Sequence, residues 1–268
     1  MDFKNVIIMT DIDGTLVTDQ KQILDCDIKA IERFRKGGGI FTLATGRGYS
    51  MAKPIADRIS LDVPAVIFNG SAVYDFSQSK FLWHSSLESS AKPILKEILA
   101  HFPDMGCEVL CAEDVYVPAL NDIERQHLAI ENVTPIICSV DEIPGDWLKV
   151  LLAYPPSKMQ TLIDFVHEHP NYMNDCHWVR SEIHYYEMLP DGVNKGSGFQ
   201  RLLDIMDRSD AFTVGVGDYN NDLELIRDAR LGVAVASAQD AAKEVADLIV
   251  CDNNSGAIAE VIDYIEKL

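Results

Sequence analysis

The sequence lacks most of the features that place a protein in a simple class. No stretch approaches the roughly 20 apolar residues that cross a bilayer, and the first apolar run is too short for a signal-peptide core. Basic residues are scarce, 23 Lys and Arg against 42 Asp and Glu, giving a formal net charge of -19. That balance excludes nucleic acid and anionic membrane as partners, since both need clustered cations, and favours a divalent metal ion instead. The six cysteines are scattered in a chain too large to need disulfide staples and include no Cys-x-x-Cys pair, which argues against a disulfide framework. Free thiols and a cytoplasmic location are expected. There is no Gly-rich Walker loop ending in Lys-Ser/Thr, no repeat and no low-complexity tract. The seven histidines and the Tyr185-Tyr186 pair show no ligand spacing and read as structural.

What is present is a globular composition, 47% hydrophobic and 24% charged, in 268 residues, enough for one large domain or two modest ones. The chain is organised around Val6 to Leu16, an apolar run stopped by Asp11-Ile12-Asp13-Gly14-Thr15. A short run rich in β-branched residues reads as a buried central strand that delivers its acids to the carboxyl edge of an α/β sheet, where such sheets bind ligands. Asp11 and Asp13 lie two apart and project to one side, so they repel unless a cation sits between them.

Further strands follow the same rule of an apolar run ended by small polar residues. Ile40 to Ala44 ends in Thr45-Gly46-Arg47-Gly48, Ala65 to Phe68 in Asn69-Gly70, and Phe212 to Val216 in Gly217-Asp218. Helices are expected over Ile28 to Phe34, Tyr49 to Ile59, Lys195 to Met206, Asp222 to Ala229, Ala241 to Ala246 and Ile258 to Ile265, with further strands at Gly232 to Val235 and Leu248 to Val250. This alternation predicts a Rossmann-like, doubly wound parallel sheet. Ala72 to Tyr74 and Phe81 to Trp83 read as a hairpin. Between Ser85 and Leu189 a helix at Ala91 to Phe102 accompanies strand candidates at 108–111, 115–118, 148–154, 178–180 and 183–188. That segment reads as an α+β module, giving a core of residues 1–84 and 190–268 interrupted by a domain of residues 85–189.

Four strand-end clusters then converge: Asp11 with Asp13, Thr45 with Gly46, Lys195 at a helix start, and Asp218 with Asn221 and Asp222. Three carboxylates can hold Mg2+, a lysine can neutralise phosphate, and a threonine hydroxyl with backbone N–H groups can bind phosphate oxygens. Together they specify phosphoryl transfer, with a carboxylate as nucleophile in the absence of a Walker loop. Asn221 and Asp222 could also cap the following helix, and Arg47 and Asn69 either touch substrate or cap and turn.

The order Asp-x-Asp-Gly-Thr, Thr after the second strand, a later Lys, and Gly-Asp-x-x-Asn-Asp resembles the haloacid dehalogenase superfamily from end to end. Phe68-Asn69-Gly70-Ser71, Gly192-Val193-Asn194-Lys195-Gly196 and Gly217 to Asp222 are similar to its Cof-type branch, subfamily IIB, whose C2-type cap occupies the place of the insertion. Ala236-Ser237-Ala238, in place of Gly-Asn-Ala, and Glu224 depart from the pattern without removing a catalytic group. The resemblance implies a Mg2+-dependent phosphatase of a small phosphorylated metabolite. Asp11 would be the nucleophile and Asp13 the acid and base. Asp11, Asp218 and the Asp13 carbonyl would hold the metal, Thr45, Gly46 and Lys195 the phosphate, and Asn221 and Asp222 would orient these groups. It leaves open a sugar phosphomutase or a non-hydrolytic sensor, and a monomer or weak homo-oligomer is expected.

Overall fold

The computed structural model describes residues 3–112, 114–131 and 134–268, apart from the side chain of Glu131. β1 (Val6–Thr10) is followed by α1 (Asp25–Lys36), β2 (Ile40–Leu43), α2 (Tyr49–Arg58), β3 (Ala65–Ile67), β4 (Ala72–Asp75) and β5 (Lys80–His84). The middle of the chain forms α3 (Ala91–His101), β6 (Gly106–Leu110), β7 (Val115–Ala119), α4 (Asp122–Glu131), β8 (Ile136–Ile137), β9 (Lys149–Ala153), α5 (Pro156–His167), β10 (Cys176–Glu182) and β11 (Tyr185–Pro190). Then come α6 (Lys195–Ile205), β12 (Phe212–Gly217), α7 (Leu223–Asp228), β13 (Leu231–Val235), α8 (Asp240–Val245), β14 (Leu248–Val250) and α9 (Ala257–Glu266). The chain divides into two compact units, Met1–Trp83 with Asn194–Leu268, and His84–Val193.

The first unit is built on a sheet of order β14-β13-β12-β1-β2 in which every pairing is parallel. β1 lies between β12 and β2, with Ile8 opposite both Val214 and Phe41, and all five of its residues are buried. Its continuous apolar run is therefore what a strand covered on both faces requires. Ile7 and Met9 join Phe199, Leu202 and Leu203 of α6 and Leu225 of α7 in one hydrophobic cluster. α1 and α9 pack on each other and against β2 and β14. None of their residues belongs to that cluster.

The third strand differs from expectation. β3 runs parallel to the chain after β2, with Ala44 bridged to Val66 and the Thr45 N–H donating to the Val66 carbonyl at 3.0 Å, and it pairs antiparallel with β4 in a separate sheet of order β3-β4-β5. The chain doubles back because Phe68, Asn69 and Gly70 are all left-handed, with φ of 51°, 54° and 105°. Glycine is required at the last of these, since a Cβ there would lie 2.1 Å from the Asn194 carbonyl oxygen.

The second unit carries a sheet of order β10-β11-β9-β6-β7-β8, antiparallel except at the β7/β8 edge. Ile94, Leu95 and Ile98 of α3 and Met159, Leu162 and Val166 of α5 pack with Val109, Val150 and Met188 of the sheet, and Tyr186 stacks on Trp178 in the same cluster. The expected strands are present within a few residues, and α4, α5 and β8 are added to them. Among the described residues no helix is long and apolar enough to cross a membrane.

Candidate active site

The strand ends that carry polar residues meet at the carboxyl edge of the parallel sheet. Asp11 extends β1 by donating its N–H to the Val216 carbonyl at 2.9 Å, which fixes the backbone just where the carboxylate begins. The chain then coils tightly, with Leu16 and Val17 both donating to the Ile12 carbonyl. Gly14 adopts φ 76°, and a Cβ on it would lie 2.5 Å from Asp218 Oδ2, so the Asp-Gly turn and the loop after β12 are in direct contact. Thr15 Oγ1 donates to Asp218 Oδ1 at 2.9 Å.

Lys195 is the first residue of α6, whose N-terminus is fixed by a reciprocal pair: Ser197 N–H donates to Asn194 Oδ1 at 2.8 Å, and Asn194 N–H donates to Ser197 Oγ at 2.9 Å. From there its Nζ, buried to 1% exposure, donates to Asp11 Oδ1 and to Asp222 Oδ1, both at 2.6 Å. The other oxygen of Asp222 accepts the N–H groups of Asp218 and Tyr219 at 3.0 and 3.1 Å. Asp222 therefore joins the β12 loop to α6, and its side chain makes no cap to α7. Asn221 is not spent on capping either, for its Nδ2 donates to Asn69 Oδ1 at 3.0 Å. That contact explains the left-handed turn at Asn69. The strained backbone aims a buried amide at Asn221 and packs it so closely on Gly46 that a Cβ there would be 3.0 Å from Asn69 Nδ2. Thr45 is buried, and its Oγ1 accepts the Arg47 N–H at 3.2 Å.

Asp13 is held differently. The Arg47 guanidinium grips it as a fork, Nε to Oδ2 and Nη2 to Oδ1, both at 2.8 Å, and Lys21 Nζ donates to Oδ1 at 2.7 Å. The structure thus brings Asp11, Lys195, Asp218 and Asp222 together, with Asn69, Asn221, Gly46 and Thr45 beside one another, and turns Asp13 onto Arg47. Asp222, expected beyond the metal ligands, lies among the carboxylates that could bind one. Thr15 and Lys21 were not anticipated as site residues. The Asp-Gly-Thr run held a signal for Thr15, and nothing in the sequence marked Lys21.

The electrostatics separate the two aspartates of the first strand. Burial, then the charges of Asp222 and Asp13, push Asp11 up to about 7 against the pull of Lys195. Asp218 is pushed up to about 8 by burial and by Asp222 and Asp11. Burial would pull Lys195 down, but Asp11 and Asp222 outweigh it and hold the ammonium charged. For Asp13 burial acts upward, yet Arg47 and then Lys21 outweigh it and bring the carboxyl down to about 2.

One oxygen from each of Asp11, Asp218 and Asp222 lies within 4.8 Å of the others, the one such grouping of metal-ligating side chains among the described residues. Hard oxygen donors of this kind suit Mg2+.

A parallel sheet with an Asp pair at its central strand end, a buried lysine and a carboxylate cluster is the arrangement expected of the haloacid dehalogenase class. The chain belongs to the haloacid dehalogenase-like hydrolases, whose family model matches residues 8–262. It is 26% identical over 267 residues to 5-amino-6-(5-phospho-D-ribitylamino)uracil phosphatase YitU of Bacillus subtilis, covering 98% of each chain. It is 26% identical over 272 residues to pyridoxal phosphate phosphatase YbhA of Escherichia coli, covering 96% of this chain and 97% of that protein. In fold it is similar to the HAD subclass IIB sugar phosphatase BT4131, with a TM-score of 0.85 at 18% identity and 98% and 99% coverage. A haloacid dehalogenase-like hydrolase from Bacteroides thetaiotaomicron superposes with a TM-score of 0.80 at 22% identity and 97% and 98% coverage.

Proposed function

We propose that this protein is a Mg2+-dependent phosphatase that hydrolyses a small phosphorylated metabolite through a phospho-aspartate on Asp11. The observation that carries the reading is the Lys195 ammonium shared between Asp11 and Asp222 beside Asp218. Lys195 orients the nucleophilic carboxylate and offers positive charge to the phosphoryl oxygens, which Thr45 and the N–H of Gly46 also face in the family pattern. Asp11 and Asp218, with the Asp13 carbonyl, would hold the metal. Bound Mg2+ supplies the positive charge that lets a dianionic phosphate approach a carboxylate.

The proton accounting falls to Asp13. An Asp11 oxygen attacks phosphorus as the ester bond breaks, and the departing oxygen takes a proton from Asp13, which must first leave the Arg47 and Lys21 contacts that hold its carboxyl down to about 2 and take a proton up. Water then attacks the phospho-aspartate, returns a proton to Asp13, and inorganic phosphate leaves with Asp11 regenerated. Asn221, bonded to Asn69, and Asp222, bonded to Lys195, keep the surrounding groups in register. The residues of the second unit are assigned to the inserted α+β cap of the Cof-type branch. The names of the two relatives, a phosphoribitylaminouracil phosphatase and a pyridoxal phosphate phosphatase, support a phosphorylated metabolite of that size as substrate.

The test is phosphate release from an aryl phosphate and a metabolite panel, with acid-quenched enzyme analysed for phosphate on the peptide bearing Asp11. Asp11→Asn is expected to abolish both signals, because an amide is a poor nucleophile and a weaker metal ligand. Turnover retained by this variant would remove Asp11 from its role.

A further inference from the structure

We propose that Asn253 is a positioning residue that sets the affinity for Mg2+ by holding the turn after Asp11 to the loop of Asp218, an inference that rests on the reading of Asp11 and Asp218 as metal ligands. Asn253 is 3% exposed and lies just beyond β14, more than 200 residues from the Asp-x-Asp turn. A primary amide offers two N–H donors and one oxygen acceptor, and this one divides them between two segments. Its Nδ2 donates to the Val17 carbonyl at 3.0 Å and to Asp19 Oδ1 at 3.2 Å, while its Oδ1 accepts the Ser237 hydroxyl at 3.3 Å. Ser237 stands at the Asn of the family's Gly-Asn-Ala, so a departure from that pattern supplies one partner of the link.

Both segments lead directly to the carboxylates. Val17 closes the coil that begins at Asp11: its N–H donates to the Ile12 carbonyl at 2.9 Å, and it forms a β-bridge with Asp13. The Val17 backbone is thus held at its N–H by the turn and at its carbonyl by Asn253. On the other side, Ser237 lies in the turn after β13, closed by the Ala238 N–H on the Val235 carbonyl at 3.0 Å. Two residues past Ser237, the Gln239 N–H donates to the Asp218 carbonyl at 2.9 Å. The two segments meet once through Thr15 and Asp218, and Asn253 joins them a second time. The anchor itself is firm. Asp252 accepts the Asn254 N–H on Oδ1 at 3.0 Å and the Ser255 N–H on its carbonyl at 2.9 Å, and the Cys251 N–H is held by Glu260 Oε2 of α9 at 2.7 Å. Two carboxylates repel each other, so their approach has to be imposed by the segments that carry them. Mg2+ tolerates little variation in ligand geometry, and segments left free to separate bind it less well.

The experiment titrates Mg2+ calorimetrically into the substrate-free protein after EDTA treatment and dialysis, well below the unfolding temperature, where a loss of stability alone does not change the affinity. Asn253→Ala is expected to weaken Mg2+ binding about tenfold, the lower end of what removing an outer support of a metal ligand costs. Asn254→Ala removes a clasp on Asp19, Nδ2 to Oδ2 at 3.2 Å and the Asp19 N–H to Oδ1 at 3.1 Å, but leaves the bonds to Val17 and Ser237, and should bind Mg2+ as the parent does. Should Asn253→Ala fail to fold, Ser237→Ala decides: it cuts the link on the Asp218 side alone and should weaken Mg2+ binding by a smaller factor. An unchanged affinity in the deciding variant overturns the inference, and so does an equal loss in Asn254→Ala, since any loosening of the Asp19 segment would then suffice. Asp218→Ala in the same titration separates the two failures. If it binds Mg2+ as tightly as the parent, the metal lies elsewhere and the reading beneath the inference is wrong; if it loses Mg2+ while Asn253→Ala keeps it, the inference alone fails.

Discussion

Replacing Lys195 with Met keeps the length and most of the volume of the side chain but takes the ammonium from between Asp11 and Asp222, 2.6 Å from each. The three partners are exposed by only 1%, 6% and 0%, so water cannot fill the gap. Removing one partner of a buried ion pair costs about 3–5 kcal/mol, and because this lysine serves two carboxylates the upper end, about 5 kcal/mol, is expected without metal. For a domain of this size that corresponds to a fall of about 10–20 °C in the unfolding midpoint. The assay is thermal unfolding of parent and variant at pH 8, in EDTA and again with excess Mg2+. If Mg2+ binds at Asp11 and Asp218 as proposed, it brings a cation to the cluster, and the difference between the proteins should shrink in its presence. A variant within about 1 kcal/mol of the parent in EDTA would refute the view that Lys195 is the counter-charge of this cluster.

Two further outcomes follow from the same cluster and its neighbours. Asp11 and Asp218 have folded-state values of about 7 and 8 against 3.8 for an ordinary aspartate, so between roughly pH 4 and pH 8 the folded protein binds protons that the unfolded chain has released. Metal-free stability from these groups is therefore fully present below that window and is lost as pH rises through it; denaturant titrations in EDTA should show the fall and Mg2+ should flatten it. A stability that rose with pH across the window in EDTA would contradict the crowding. Gly70→Ala, with φ 105° and a Cβ 2.1 Å from the Asn194 carbonyl, should destabilise by about 2–4 kcal/mol in urea unfolding and weaken phosphate binding by displacing Asn69, whereas Gly145→Ala, open on all sides, should be neutral.

The strands of the parallel sheet were legible because each is an apolar run too short for a helix and stopped by small polar residues, and those stops are where Asp11, Thr45 and Asp218 stand. β3 was legible as a strand but not in its pairing, which depends on the left-handed backbone of Phe68 and Asn69. For Phe68 that conformation is no preference of the residue; it is imposed by packing. Lys195 could be singled out only through its Gly-rich surroundings, and its double contact reaches back 184 residues to Asp11. The pairing of Asn69 with Asn221 spans 152 residues, and no local pattern records it. The direction of the Asp13 side chain was the least legible of all: alternation says which side of a strand it leaves, while Arg47 and Lys21 decide where its oxygens point.

The placement of β1 has a consequence for how the chain comes to be folded. Its two neighbours are β2, a few dozen residues on, and β12, where Ile7 meets Thr213. During synthesis the central strand must wait with one edge unpaired until nearly four-fifths of the chain has been made, while His84–Val193 is contiguous and has its partners to hand. The inserted unit is thus positioned to become structured first, and Asp11, Lys195, Asp218 and Asp222 meet only when the last segment arrives. Truncation anywhere before β12 removes one wall of the site and leaves an apolar strand edge open to other chains.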